Sequence, residues 1–106
     1  SAPVQSVRAA LDLAKLADKS DNSADLAQKL AANPADHEAR FDLAVALAAH
    51  GKKGEALDHL LELVRRDRNW NDQAARKQLV QLFDAWGPKD EHTIDGRRRL
   101  SSILFS

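Results

Sequence analysis

Residues 37–68, HEARFDLAVALAAHGKKGEALDHLLELVRRDR, decide the fold. Two amphipathic runs flank a short break, His50-Gly51-Lys52-Lys53-Gly54. Before the break, Phe41, Leu43, Ala44, Leu47 and Ala48 recur at helical spacing; after it, Ala56, Leu57, Leu60, Leu61, Leu63 and Val64 do the same. Asp36 is placed to cap the first run, with Ala39 at its third position instead of the glutamate of a capping box. Gly51 suits the left-handed residue that closes a helix, so the spacing predicts one helix as far as His50 and a second over 53–66. In that second helix Glu62 and Arg66 form an i, i+4 pair in the favourable order, and Arg65 and Arg66 complement its C-terminus.

The alternation of large and small residues at Leu43, Ala44, Leu47, Gly51, Ala56, Leu60 and Leu63 resembles a tetratricopeptide repeat, a helix–turn–helix unit built to stack on copies of itself. The chain can be compared with itself to test this. At an offset of 36 residues Leu43 falls on Leu79, Ala44 on Val80, Leu47 on Phe83 and Gly51 on Gly87. At an offset of 40 Ala56 falls on Gly96, Leu60 on Leu100, Leu63 on Ile103 and Val64 on Leu104, the difference being absorbed by Pro88-Lys89-Asp90-Glu91 in the turn. Glycine inside a helix costs about 1 kcal/mol relative to alanine. Gly96, the partner of the small Ala56, is therefore expected at a tight helix crossing.

The flanking segments fill in a stack. Residues 3–19 read as a helix with a narrow polar stripe (Gln5, Arg8, Asp12, Lys15, Lys19) and an apolar face wider than one neighbouring helix requires. Ser20-Asp21-Asn22-Ser23 is a turn that supplies the next cap, and a second helix runs to Ala32 with Leu26, Ala27, Leu30 and Ala31 inward, ended by Asn33-Pro34. Downstream of a linker at Asp67-Arg68-Asn69-Trp70, Asn71 is the expected cap of a fifth helix, Asp72 lies in its first turn, and Trp70 is expected to staple onto it. Phe83 and Trp86 are expected in the core, and Gly87-Pro88 ends this helix. Asp90 caps a sixth, with Ile94, Leu100, Ile103 and Leu104 on one face and Asp95–Arg99 as an i, i+4 pair. Val7 and Leu11 align with Leu43 and Leu47, but the rest of the first two helices does not align. The expected fold is thus all-α: a right-handed stack of about six helices as three hairpins, with the central repeat at 37–68 and a degenerate first repeat, forming one domain over 1–106.

Composition narrows the function. Sixteen Lys plus Arg balance sixteen Asp plus Glu, which argues against a general nucleic-acid or anionic-membrane binder, since both need excess positive charge. Acidic Asp90, Glu91 and Asp95 offset the run Arg97-Arg98-Arg99 in the same way. The absence of cysteine excludes disulfides, thiol redox chemistry and Cys-zinc sites in this chain. No apolar run approaches the roughly 20 residues of a membrane span. His37, His50, His59 and His92 stand too far apart for a helical metal pair and read as surface residues. No nucleophile elbow, phosphate loop or zinc helix is present, so neither an enzyme nor a cofactor is expected. The sequence starts at Ser1 without methionine, as expected of a processed chain or of an excised piece of something longer; we favour the excised piece.

From 33 to 106 the likeness becomes more specific. The runs ARFDLAVALAAHGKKGEALDHLLELVRRDRNWND, ARKQLVQLFDAWGPKD and GRRRLSSILF resemble the C-terminal half of bacterial thioredoxin-fold co-chaperones with a tetratricopeptide tail, the chaperedoxins. That resemblance implies a cytoplasmic bacterial protein with a thioredoxin domain upstream of Ser1. It also implies a module that binds unfolded client segments and a GroEL-type chaperonin, with Leu100, Ile103, Leu104 and Phe105 in a C-terminal docking role. Phe105 is expected either to fold back over the last hairpin or to stand out as that docking element. In a repeat stack the first helix of each unit lines the concave face, which nominates Glu38, Phe41, Val45 and Ala49 from the central repeat and Ala74 and Lys77 from the next. Ala-lined grooves accept apolar segments. The alternative is a purely structural domain that dimerises, burying Val4, Leu13 and Leu16 between chains, or positions the thioredoxin partner.

Overall fold

A computed structural model describes residues 22–106. They form five helices with no strand among the described residues: α1 (Ser23–Ala32), α2 (His37–Ala49), α3 (Lys53–Arg66), α4 (Ala74–Trp86) and α5 (Glu91–Leu104). The helix expected over 3–19, the first half of the first of three hairpins, lies outside the described residues; its second half is α1. α2 packs on α3 and α4 on α5, as two hairpins; α1 lies against α2, and both α4 and α5 rest on α3.

Local chemistry sets the helix ends. The Asp36 carboxylate accepts from the Ala39 backbone N–H at 3.0 Å, and Asp90 accepts from the His92 backbone N–H at 2.8 Å. Each satisfies a donor that the first helical turn leaves free. Gly51 and Gly87 close α2 and α4 with φ of 77° and 94°, conformations that a side chain would strain.

The entry to α4 differs from the sequence expectation. Asn71 does not cap the helix. Asn71, Asp72 and Gln73 all adopt left-handed conformations (φ 47°, 57° and 60°), and the helix starts at Ala74. Asn and Asp tolerate that region better than other side chains. Trp70, ahead of this run, turns its ring back to α2, 5.7 Å from Phe41 and 6.2 Å from His37 between centroids. It fastens the linker to the preceding hairpin.

The core has two parts. Leu30, Leu43, Leu47 and Ala56 form a smaller cluster between α1, α2 and α3. Ala44, Leu57, Leu60, Leu61, Leu63, Val64, Ala75, Leu79, Phe83 and Leu100 form the larger one. Fully burying one such leucine contributes about 1.5–3 kcal/mol, so α3, which supplies half of the larger cluster, is the axis of the molecule. In α1, Ala27 and Ala31 are exposed instead of inward and only Leu30 is buried; among the described residues α1 packs chiefly on α2. Ile94 is also outside, 57% exposed. It stands one turn from Arg98, out of phase with Leu100, and Thr93 takes the inward place. Trp86 is half-buried at the core's edge, with the Lys53 ammonium 5.5 Å from the centre of its ring.

The internal equivalences carry over to packing, with one consistent departure. Leu43 and Leu79 are both buried, as are Leu47 and Phe83, and Ala56 and Gly96. Ala44 is fully buried, whereas its counterpart Val80 is 47% exposed. Val64 and Leu63 are buried and their counterparts Leu104 and Ile103 only half-buried. Ala44 and Val64 share their cluster with Ala75 and Leu79 of the next unit. No further helix among the described residues covers Val80 and Leu104 in that way.

Candidate functional site

Of the residues nominated for the concave face, four lie along α2. Glu38, Val45 and Ala49 are exposed and Phe41 is half-buried. Glu38 and Phe41 come together in a cleft of about 500 Å³ whose other walls are Asp42, Trp70 and Asn71. Val45, Ala49, Ala74 and Lys77 stand outside that lining. Ala74 is half-buried at the start of α4, and the Lys77 ammonium is engaged by Asp72 at 2.9 Å.

The cleft combines an aromatic floor with an acidic rim. Phe41 and Trp70 meet at an interplanar angle of 49°. Glu38 and Asp42, one turn apart on α2, have no ion-pair partner among the described residues. Sequence reasoning missed Asp42, Trp70 and Asn71. The i, i+4 spacing of Glu38 and Asp42 could have signalled the rim; the fold-back of Trp70 left no such signal.

Behind this face lies a buried polar contact that links both helices of the hairpin. Arg40 is 8% exposed; its guanidinium donates to the Pro34 carbonyl at 3.2 Å and lies 3.4 Å from Nδ1 of His59. His59, like His37 and His92, is half-buried, not a surface residue as the sequence setting suggested. Burial, and then the charge of Arg40, push its pKa below the ordinary histidine value. A neutral imidazole with Nδ1 as acceptor matches that setting.

The C-terminal residues behave differently from one another. Leu100 is buried in the core, Ile103 and Leu104 are half-buried, and Phe105 is 82% exposed. Phe105 thus does not fold back over the last hairpin. Leu100, Leu104 and Phe105 border a groove of about 260 Å³ between α4 and α5, together with Arg76, Val80, Phe83, Asp84, Arg97 and Ser101. Ile103 is not in that lining; its carbonyl accepts from Arg68 at 3.3 Å and holds the linker to the end of α5.

Among the described residues no three His, Cys, Asp or Glu side chains converge to hold a metal ion, and no helix is long and apolar enough to cross a membrane. Of the basic run, Arg98 is bonded to Asp95, and Arg99 reaches both Asp95 and Asp58.

A family model described as tetratricopeptide repeat matches residues 16–105. An uncharacterized protein of Mycobacterium bovis and uncharacterized proteins from two strains of Mycobacterium tuberculosis are each 34% identical to this chain over 50 residues. That stretch is 47% of this chain and 16% of each relative, so the match spans about one-sixth of the relatives' length. No solved structure matches the chain significantly.

Proposed function

This chain belongs to the tetratricopeptide repeat family, and we propose that it holds unfolded protein segments along the exposed face of α2 on behalf of a thioredoxin-type co-chaperone. Repeats of this architecture generally mediate protein–protein contact and are typically non-catalytic. The observation that carries the reading is the cleft of Phe41 and Trp70 between Glu38 and Asp42. Aromatic rings supply sequence-tolerant apolar contact, and carboxylates at the rim orient a bound segment. Val45 and Ala49 extend the same face by small and apolar side chains.

The co-chaperone assignment rests on the likeness of the runs around Arg68-Asn69-Trp70 and at the C-terminus. In that reading the partners are unfolded clients, a GroEL-type chaperonin and an upstream thioredoxin domain, in the cytoplasm. The test is aggregation of a denatured model protein followed by light scattering. The chain suppresses it, and a Glu38→Lys, Val45→Asp variant, altered only at exposed positions, does not. A chain that neither suppresses aggregation nor co-purifies with the chaperonin, alone or in the full-length protein, refutes the reading.

One observation favours a second reading, a structural dimerisation domain: Val80, Ile94 and Phe105 are exposed apolar side chains on the last hairpin. A light-scattering mass of twice the chain at micromolar concentration supports it.

A further inference from the structure

We infer that the groove between α4 and α5 is a seat for an acidic amphipathic helix of a partner protein. The inference rests on the reading of this chain as an interaction module and adds a second surface, remote in sequence from the α2 cleft.

The repeat itself says what shape the groove receives. Val80 and Leu104 hold the places that Ala44 and Val64 hold one unit earlier. There the positions are closed by a helix: Ala44 and Val64 are buried in one cluster with Ala75 and Leu79 of α4. The same face recurs between α4 and α5, with Val80 and Phe105 exposed and no helix over it among the described residues. At about 260 Å³ the groove lies below the ~300 Å³ at which small-molecule pockets begin. It suits side chains delivered from a helix at i, i+3, i+4 and i+7.

Charge selects the helix. Arg76 and Arg97 flank the apolar floor, and neither has a carboxylate partner among the described residues. Arg76 donates only to the Gln73 side-chain oxygen at 3.2 Å, and Arg97 lies over the Phe83 ring at 5.9 Å. The neighbouring Arg98 and Arg99 are, by contrast, engaged by Asp95 and Asp58. Among the described residues Asp84 is the one acid in the lining, which leaves them net positive there. The chain's own amphipathic stretch at 3–19 does not complement it, because Arg8, Lys15 and Lys19 outnumber Asp12 and Asp18.

Two synthetic helical peptides with identical leucine faces test this, one flanked by glutamates and one by lysines, titrated by fluorescence anisotropy into the whole chain. The wild type should bind the glutamate peptide about tenfold or more tightly than the lysine peptide, as expected for two flanking charge contacts. The double variant Arg76→Glu, Arg97→Glu should reverse that preference, and Phe105→Ala should weaken both peptides without changing the melting temperature. If the charge-reversed variant does not fold, salt decides on the wild type: added salt must weaken the glutamate peptide. Equal binding of both peptides, a preference that survives charge reversal or added salt, or a dimer lost on Phe105→Ala (a second copy in the groove) overturns the inference. Client binding on α2 is untouched by these variants, so failure here is distinguishable from failure of the interaction-module reading.

Discussion

The Phe83 ring lies so close to the backbone of Gly96 that a β-carbon there would stand 2.6 Å from Cε1 and 2.9 Å from Cζ of the ring, and 3.0 Å from Cδ2 of Leu57. One unit earlier the equivalent positions hold Leu47 and Ala56, buried in a common cluster. The larger residue on the first helix of the second unit is thus matched by the smaller one on its second helix. This exchange of volume keeps the helices of a unit at contact distance with different side chains.

Gly96→Ala is therefore expected to destabilise despite its better helix propensity, worth about 1 kcal/mol, because overpacking a closed core costs about 1–3 kcal/mol. Phe83→Leu should relieve it. Denaturant titration of both single variants and the double should show the double less destabilised than the sum. Strict additivity, or an unchanged midpoint for Gly96→Ala, would remove the explanation.

A mild-acid weakness is expected at the Arg40–His59 contact. His59 titrates below its ordinary value in the folded chain, so between pH ~6.5 and the lowered folded value the unfolded chain binds the extra proton. Stability from this group is complete above pH ~6.5 and is lost as pH falls. His59→Gln keeps an acceptor for Arg40 but cannot be protonated, and should flatten the change in melting temperature between pH 7 and 5. An identical slope in the variant would show that His59 is not its source.

Strong acid should act through Asp90. The hydrogen bond from Lys53 at 2.7 Å, followed by that from the His92 backbone N–H, holds its carboxyl at about 2 instead of 3.8. The contribution is present above pH ~4 and lost on descending to ~2, since the unfolded chain takes up the proton first. Asn at 90 preserves the N-cap and removes the titration. The acid limb of Asp90→Asn should accordingly be shallower; a limb as steep as wild type contradicts the assignment.

Much of this was legible because it is local. The limits of α3, the closing glycines 51 and 87, the caps Asp36 and Asp90 and the close approach at Gly96 all follow from residue type and spacing over a few positions. The pair Glu62–Arg66 forms as read, at 2.6 Å, and Arg65 joins it on the same carboxylate. What escaped depends on distant parts of the chain. Asn71 and Asp72 are good capping residues, but Trp70 is held on α2, and the helix begins only after the left-handed run. Val80 matches Ala44 in sequence, yet exposure depends on what covers it. The cleft was half legible: Glu38 and Phe41 follow from their place in the repeat, whereas Trp70 reaches them only through the linker's return.

Thr93 offers a gain in stability. Its side chain is fully buried and its hydroxyl has no hydrogen-bond partner among the described residues. Leaving such a group unsatisfied costs about 1–3 kcal/mol. Thr93→Val keeps the shape and is expected to raise stability by about 1 kcal/mol, roughly 4–8 °C in Tm for a domain of this size. A lower Tm would mean that the hydroxyl is satisfied in solution.

Direct binding is the sharpest test of the proposal that the α2 face holds unfolded protein. A permanently unfolded, fluorescently labelled model protein is titrated with the chain, and with the Glu38→Lys, Val45→Asp variant after circular dichroism shows an unchanged melting curve. Saturable binding by the wild type that the variant loses is the expected result. Equal binding by both, or none by either, would contradict the assignment of this face.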